Sequence, residues 1–187
     1  MYRTMQSTLT TRDGETNEAP VIEGYFAVFD SNYDMGYGMS ESVAPGAFLE
    51  TLSGDVRALI DHNTRLVLGR ITAHTLELRE DSHGLWGKIY INPKDSEAMN
   101  LYERVKRGDV SQCSFGFEIL SEETSFPEEG KIHWRITKVK LYEVSCCTYP
   151  AYEDTEISAR KKDWEQIEKR KSEAWKSTLL KKLKGEK

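Results

Sequence analysis

Val110-Ser-Gln-Cys-Ser-Phe-Gly-Phe-Glu-Ile-Leu120 alternates with a period of two. In a strand, every second side chain shares a face. Ser111, Cys113, Phe115, Phe117 and Ile119 then form one face, mostly apolar. Val110, Gln112, Ser114, Gly116, Glu118 and Leu120 form the other. The segment reads as a strand with its phenylalanines toward a core. Downstream, Ser121–Gly130 reads as an acidic loop. Lys131–Tyr149 reads as one long or two short strands, stopped by Pro150. Upstream, Pro93–Arg107 carries Ala98, Leu101, Tyr102 and Val105 at helical spacing. Asp95 or Ser96 is its N-cap candidate, and Gly108 stands where a C-cap glycine belongs.

Further upstream the apolar runs are short. Val21–Phe29, Val56–Ile60, Leu66–Ile71, Leu76–Leu78 and Leu85–Ile91 are rich in β-branched or aromatic residues and bounded by Asp, Asn, Gly and Ser. They read as strands. Asp81-Ser-His-Gly84 is a hairpin turn between two of them. Residues 30–45 are polar and glycine-rich, and read as a long loop. Many short strands with one or two helices predict an α+β chain built as an antiparallel barrel or sandwich.

The chain has 187 residues, 38% apolar and 30% charged, a globular composition. No apolar run approaches the roughly 20 residues that span a bilayer, and no secretory signal is visible at the N-terminus. Three cysteines, Cys113, Cys146 and Cys147, form no CxxC pair, so neither a disulfide framework nor a zinc site is expected. The expectation is an intracellular protein with no membrane contact, no metal and no cofactor. Net charge is −5, unevenly placed. From Arg160 onward there are 11 Lys+Arg and 5 Asp+Glu, a balance of +6, whereas residues 1–159 carry −11. In the tail Trp164, Ile167, Ala174, Trp175, Leu179 and Leu183 fall on one helical stripe among basic residues. Three parts follow: an arm over 1–19, a β domain over 20–156, and a basic amphipathic helix over 157–187. Such a tail suits an acidic partner or nucleic acid, or else is a solvated helix face; no specific nucleic-acid partner is expected.

Ser114 is the first chemical candidate. It points away from the phenylalanines and stands beside Gly116, whose bare backbone would leave a nucleophile room. Ser111, on the core side, is the weaker choice. His62 lies just past the strand Val56–Ile60, at a strand end where a rigid scaffold presents side chains. A neutral imidazole is the usual base for a serine hydroxyl. Glu143 sits among strand residues, sharing a face with Leu141, Ser145 and Cys147; a carboxylate there needs a partner, and His62 would serve. The plain alternatives are a strand serine, a surface histidine and a salt-bridged glutamate. Cys146 and Cys147 are alternative nucleophiles or inert packing groups.

These segments together resemble the prohead (capsid maturation) proteases of tailed bacteriophages. The resemblance runs over roughly residues 20–155. It rests on Gly24-Tyr-Phe-Ala-Val-Phe29, Glu41-Ser-Val-Ala-Pro-Gly-Ala-Phe48, and Asp61-His-Asn63 with Leu68-Gly-Arg70. It continues through Cys113-Ser-Phe-Gly-Phe117 and Tyr142-Glu-Val-Ser145, and ends at Tyr149-Pro-Ala-Tyr152. The family is also similar to herpesvirus assemblins. The resemblance implies a closed β-barrel wrapped by helices, with Ser114 as nucleophile and His62 as its base. Assemblins use a histidine as third member, where this chain offers Glu143. An oxyanion hole from a backbone amide near Gly116, or from a water held by Arg70 or Arg65, would complete the site. The implied activity is serine endopeptidase cleavage of a scaffolding protein, or of the scaffolding segment of the major capsid protein, inside the procapsid in the host cytoplasm. Self-processing is implied too, and a homo-oligomer is compatible with it. The rival reading is a non-enzymatic capsid-assembly or scaffold-binding barrel.

Overall fold

The computed structural model describes residues 2–5, 9–12 and 19–149, together with Lys169 and Lys176. The chain divides into two units, Met1–Ala151 and Tyr152–Lys187. The second, which holds the expected amphipathic helix, lies outside the described residues apart from those two lysines, both helical and exposed.

The first unit is mostly sheet. Its strands are β1 (Tyr2–Met5), β2 (Thr10–Arg12), β3 (Val21–Val28), β4 (Tyr33–Gly36), β5 (Met39–Val43) and β6 (Arg57–Ile60). They continue with β7 (Asn63–Arg70), β8 (Leu76–Glu80), β9 (Gly84–Tyr90), β10 (Gln112–Ser125) and β11 (Ile132–Cys147). Among the described residues of this unit, the one α-helix is α1 (Ser96–Arg107). Its start is set by the Asp95 side chain, which accepts from the amides of Glu97 (3.0 Å) and Ala98 (3.3 Å). Its end is set by Gly108 at φ +89, the left-handed conformation that glycine adopts without strain. Ala98, Leu101, Tyr102 and Val105 are its buried stripe.

A seven-stranded sheet runs β1-β10-β11-β5-β4, with β6 on β11 and β7 on β6; a four-stranded sheet runs β2-β3-β9-β8. Both sheets are open. This corrects the expected closed barrel: among the described residues no ladder joins one sheet to the other. The cause lies in β11. Its far edge is divided between two short parallel strands, β5 against Ile132–Ile136 and β6 against Glu143–Cys146. The sheet therefore forks instead of rolling up. Among the described residues of this unit, the expected flanking helices reduce to α1.

The core lies between the sheets. Phe115 and Phe117 of β10 stack at 4.8 Å, Phe48 meets Phe115 edge-on at 5.4 Å, and Ile22, Phe26, Leu85 and Ile89 face them from the smaller sheet. Burying each such side chain stabilises by about 1.5–3 kcal/mol. The Cys113 thiol donates to the Tyr25 carbonyl at 3.0 Å, joining β10 to β3. Two expected loops are largely strand. Residues 33–43 form the β4–β5 hairpin, turned by Gly36, Tyr37 and Gly38, all at positive φ. β10 runs on through the acidic segment to Ser125.

Candidate active site

The β10–β11 ladder sets the faces. Cys113 pairs with Cys146, Phe115 with Val144 and Phe117 with Leu141, and all six belong to the core. Gln112 pairs with Cys147, Ser114 with Ser145 and Gly116 with Glu143. Directly paired residues share a face, with Cβ atoms about 4.5–5.5 Å apart. These six therefore stand together on the side away from the phenylalanines. Between Gly116 and Phe117 the register skips Tyr142, a bulge on β11. The bulge corrects one expectation: Leu141 lies on the core face, and Glu143 does not share a face with it. Ser111 precedes the strand and is exposed, not on its core side.

His62 reaches this face from the β6–β7 hairpin. Ile60 pairs with Asn63, so Asp61 and His62 form a two-residue turn. Their φ angles are +47° and +58°, the signs of a type I′ turn. The turn is fastened to β11. The Asp61 amide donates to the Cys146 carbonyl at 3.0 Å, and Asp61 Oδ1 accepts from the Thr148 amide at 2.8 Å.

His62 Nδ1 lies 2.7 Å from Glu143 Oε1, and the two side chains are only 13% and 9% exposed. Ser145 Oγ donates to Glu143 Oε2 at 2.5 Å and accepts from the His62 amide at 3.2 Å. Both carboxylate oxygens are thus engaged. With Nδ1–H donated to Glu143, neutral His62 keeps its lone pair on Nε2, the tautomer a general base needs. Nε2 lies 3.7 Å from Cys147 Sγ. The ring therefore extends from the Glu143 position toward that of Cys147, and Ser114 is one strand away across the ladder. Ser114 is fully buried. The open space expected beside it is absent: β10 carries β1 on its other edge, with Thr4 opposite Ser114.

The remaining candidates sort by their partners. Arg70 is held by Asp55 through two hydrogen bonds, at 2.7 and 2.5 Å. That guanidinium, with Thr72 and Arg57, pulls the Asp55 carboxyl down to about 2. Arg65 lies where β7 bulges between Asn63 and Val67; it is exposed, with no guanidinium partner among the described residues. Burial pushes the Cys147 thiol well up, with Asp61, Cys113 and Glu143 adding to the shift. Burial raises Cys146 too. Neither is a ready thiolate. His133 is a second histidine beside serines, but its ring nitrogens each meet a hydroxyl, Ser40 and Ser42, at 2.9 Å. Among the described residues no cluster of His, Cys, Asp and Glu is arranged to hold a metal, and no helix is long and apolar enough to cross a membrane.

Ser145 is the site residue that sequence reading overlooked as a participant. The signal was present: Glu143 and Ser145 are two apart on a strand, hence on one face. Gln112, paired with Cys147, stands on the same face. Its buried Oε1 has no hydrogen-bond partner.

Three comparisons bear on this arrangement. A family model described as caudovirus prohead serine protease matches residues 7–170. The chain is 30% identical over 155 residues to the prohead protease of Enterobacteria phage HK97, covering 81% of this chain. It spans 63% of that relative's length. The solved structure of the bacteriophage T4 capsid assembly protease, gp21, aligns with a TM-score of 0.45 and 10% identity, over 80% of this chain and 99% of that one. With the family model covering most of the chain, including every residue of the His62–Glu143–Ser145 arrangement, the chain belongs to the caudovirus prohead serine protease family.

Proposed function

We propose that the chain is a serine endopeptidase in which Ser114 is the nucleophile, His62 the base and Glu143 the group that orients it. The observation that carries the reading is the engaged carboxylate: His62 Nδ1 on one oxygen, Ser145 on the other, one strand from Ser114. Ser114 Oγ attacks the scissile carbonyl carbon while His62 Nε2 takes the hydroxyl proton. The C–N bond breaks as that proton passes to the leaving amine. A water then gives a proton to Nε2 as it attacks the ester carbonyl; the bond from that carbon to Ser114 Oγ breaks, and the proton passes from Nε2 to Oγ. Glu143 stabilises the imidazolium in both halves. Ser145 is a positioning residue that fixes the carboxylate and the turn. Arg65, with no guanidinium partner among the described residues and three residues past the base, is the better of the two arginines for an oxyanion or substrate role. Arg70 is occupied by Asp55.

The substrate we infer is the scaffolding protein, or the scaffolding segment of the major capsid protein, cut inside the procapsid. Self-processing would accompany it. Co-expression with the cognate capsid and scaffold proteins tests this. Wild type should yield truncated partners, and Ser114→Ala full-length ones. Truncation by both would move the nucleophile elsewhere.

A further inference from the structure

β8 stands at one end of the four-stranded sheet, and among the described residues its only ladder is with β9. The Tyr90 amide donates to the Thr75 carbonyl and the Asp81 amide to the Gly84 carbonyl, both at 3.0 Å. Bonded pairs alternate along an antiparallel ladder, and the β8–β9 register has no break. The main-chain groups of Glu77 and Arg79 therefore bond β9. Those of Leu76, Leu78 and Glu80 turn to the other edge.

Open edges are usually blocked by proline, lysine or a bulge. Leu76-Glu-Leu-Arg-Glu80 has none of these, whereas the outer strands β4 and β7 of the larger sheet both bulge. A cleft of about 530 Å³ touches each residue from Leu76 to Arg79, and Leu52, Ile71 and Trp86 also line it. Successive side chains of a strand point to opposite faces. A cleft that touches four in a row thus runs along the edge, with room beside it for another strand.

The charges name the occupant. Glu77 and Arg79 are both exposed. The Tyr90 hydroxyl donates to Glu77, and the Arg79 guanidinium lies 4.3 Å from the Trp86 ring centroid. Reversed about Leu78, the strand matches itself: Glu77 falls opposite Arg79, Arg79 opposite Glu77, and Leu78 opposite Leu78. We propose that two copies of the chain pair antiparallel through β8, about a two-fold axis at Leu78. In this register the two Leu78 main chains exchange bonds, as do Leu76 and Glu80 at each end. Glu77 and Arg79 fall between the bonded pairs, where opposed side chains come closest. Each copy offers the same residues, as a two-fold contact requires. Glu80 faces Leu76, and its carboxylate is already held by the amides of Gly46 (3.0 Å) and Phe48 (2.6 Å). The two four-stranded sheets become one continuous sheet. His62, Glu143 and Ser114 belong to the larger sheet and its β6–β7 turn, and take no part in the contact.

Two single variants of the full chain test this. In a dimer of Arg79→Glu protein both contacts are acid on acid, and in a dimer of Glu77→Arg protein both are base on base. Mixed one to one, the two variants form a dimer in which every contact is again acid on base. Sedimentation from about 1 to 300 μM covers the range expected of a short interface. Wild type should dimerise, and each variant alone should associate about tenfold more weakly or worse. The mixture should recover to within about threefold of wild type, which also shows that both variants are folded. Amide exchange at Leu78 is the second readout. It should slow as wild-type concentration rises, because that N–H acquires a carbonyl. A wild-type monomer over the whole range overturns the proposal. A dimer that neither variant weakens, or a Leu78 amide indifferent to concentration, overturns it too and places association on another surface. Weakening by both variants with no recovery on mixing excludes this register.

Discussion

Glu143 has its two oxygens on two different partners, and that decides what each substitution does. On the proposed assignment Ser114→Ala removes the nucleophile and should lower kcat by about 10⁶, as for a serine of a triad. Ser145→Ala leaves Oε2 of a buried carboxylate without its donor, a loss of about 1–3 kcal/mol. If that loss is felt in the transition state, kcat falls by roughly ten- to a hundredfold. Ser145→Thr keeps the hydroxyl and should recover most of it; equal rates for Ala and Thr would show that the hydroxyl has no part. Cys147 gives a prediction of opposite sign. Its thiol is held protonated by burial, so at pH 8 native protein should resist iodoacetamide and denatured protein should react. Rapid alkylation of Cys147 with loss of activity would favour a thiol nucleophile. At this scale much was legible. Alternation along β10 separates Ser114 from the phenylalanines, and a strand end points to His62. The burial of Ser114 was not legible, because the strand across from it lies over a hundred residues away in sequence.

The β6–β7 turn and the Tyr142 bulge are where elements shape the site. A type I′ turn favours Asn and Gly because both central residues have positive φ. Asp61 and His62 are there instead, at a strain that the bonds from Thr148, Cys146 and Ser145 oppose. Asp61→Ala removes the acceptor for Thr148 and leaves a Cβ at φ +47°. We expect it to destabilise by about 1–3 kcal/mol, read as a lower denaturant midpoint. Asp61→Gly should be less harmful, since glycine is unstrained there. If alanine and glycine behave alike, the turn is held by something other than backbone conformation. Helix α1 shows what sequence reads well: spacing, cap and terminal glycine are all local signals. The bulge shows what it reads badly. One extra residue reverses the alternation, so a strict period of two through Leu141–Cys147 put Leu141 beside Glu143. The β4–β5 hairpin was hidden for a related reason. Its polar residues and glycines suit a loop as well as a tight turn between short strands.

Closure of a barrel is a relation between distant edges, and no strand-by-strand pattern contains it. The runs that announced strands did so correctly. What they could not announce was that β11 would give one edge to two parallel partners and leave both sheets open. Charge, by contrast, is a whole-molecule property that the sequence states outright: an acidic body of −11 and a basic tail of +6. If the tail docks an acidic scaffold, the attraction is screened by salt. Capture of scaffold by Ser114→Ala protein should then weaken steeply between about 0.05 and 0.5 M NaCl, and salt-independent capture would assign docking to apolar contact. If instead the tail is removed by the enzyme, wild-type protein held for days should show a species ending near residue 160 in its intact mass. Ser114→Ala protein should keep its full 21.5 kDa. A single stable mass in both would leave the tail a permanent part of the molecule. Release at the same rate in both would name another protease. Release in wild type alone that rises in proportion to concentration would show one molecule cutting the tail of the next.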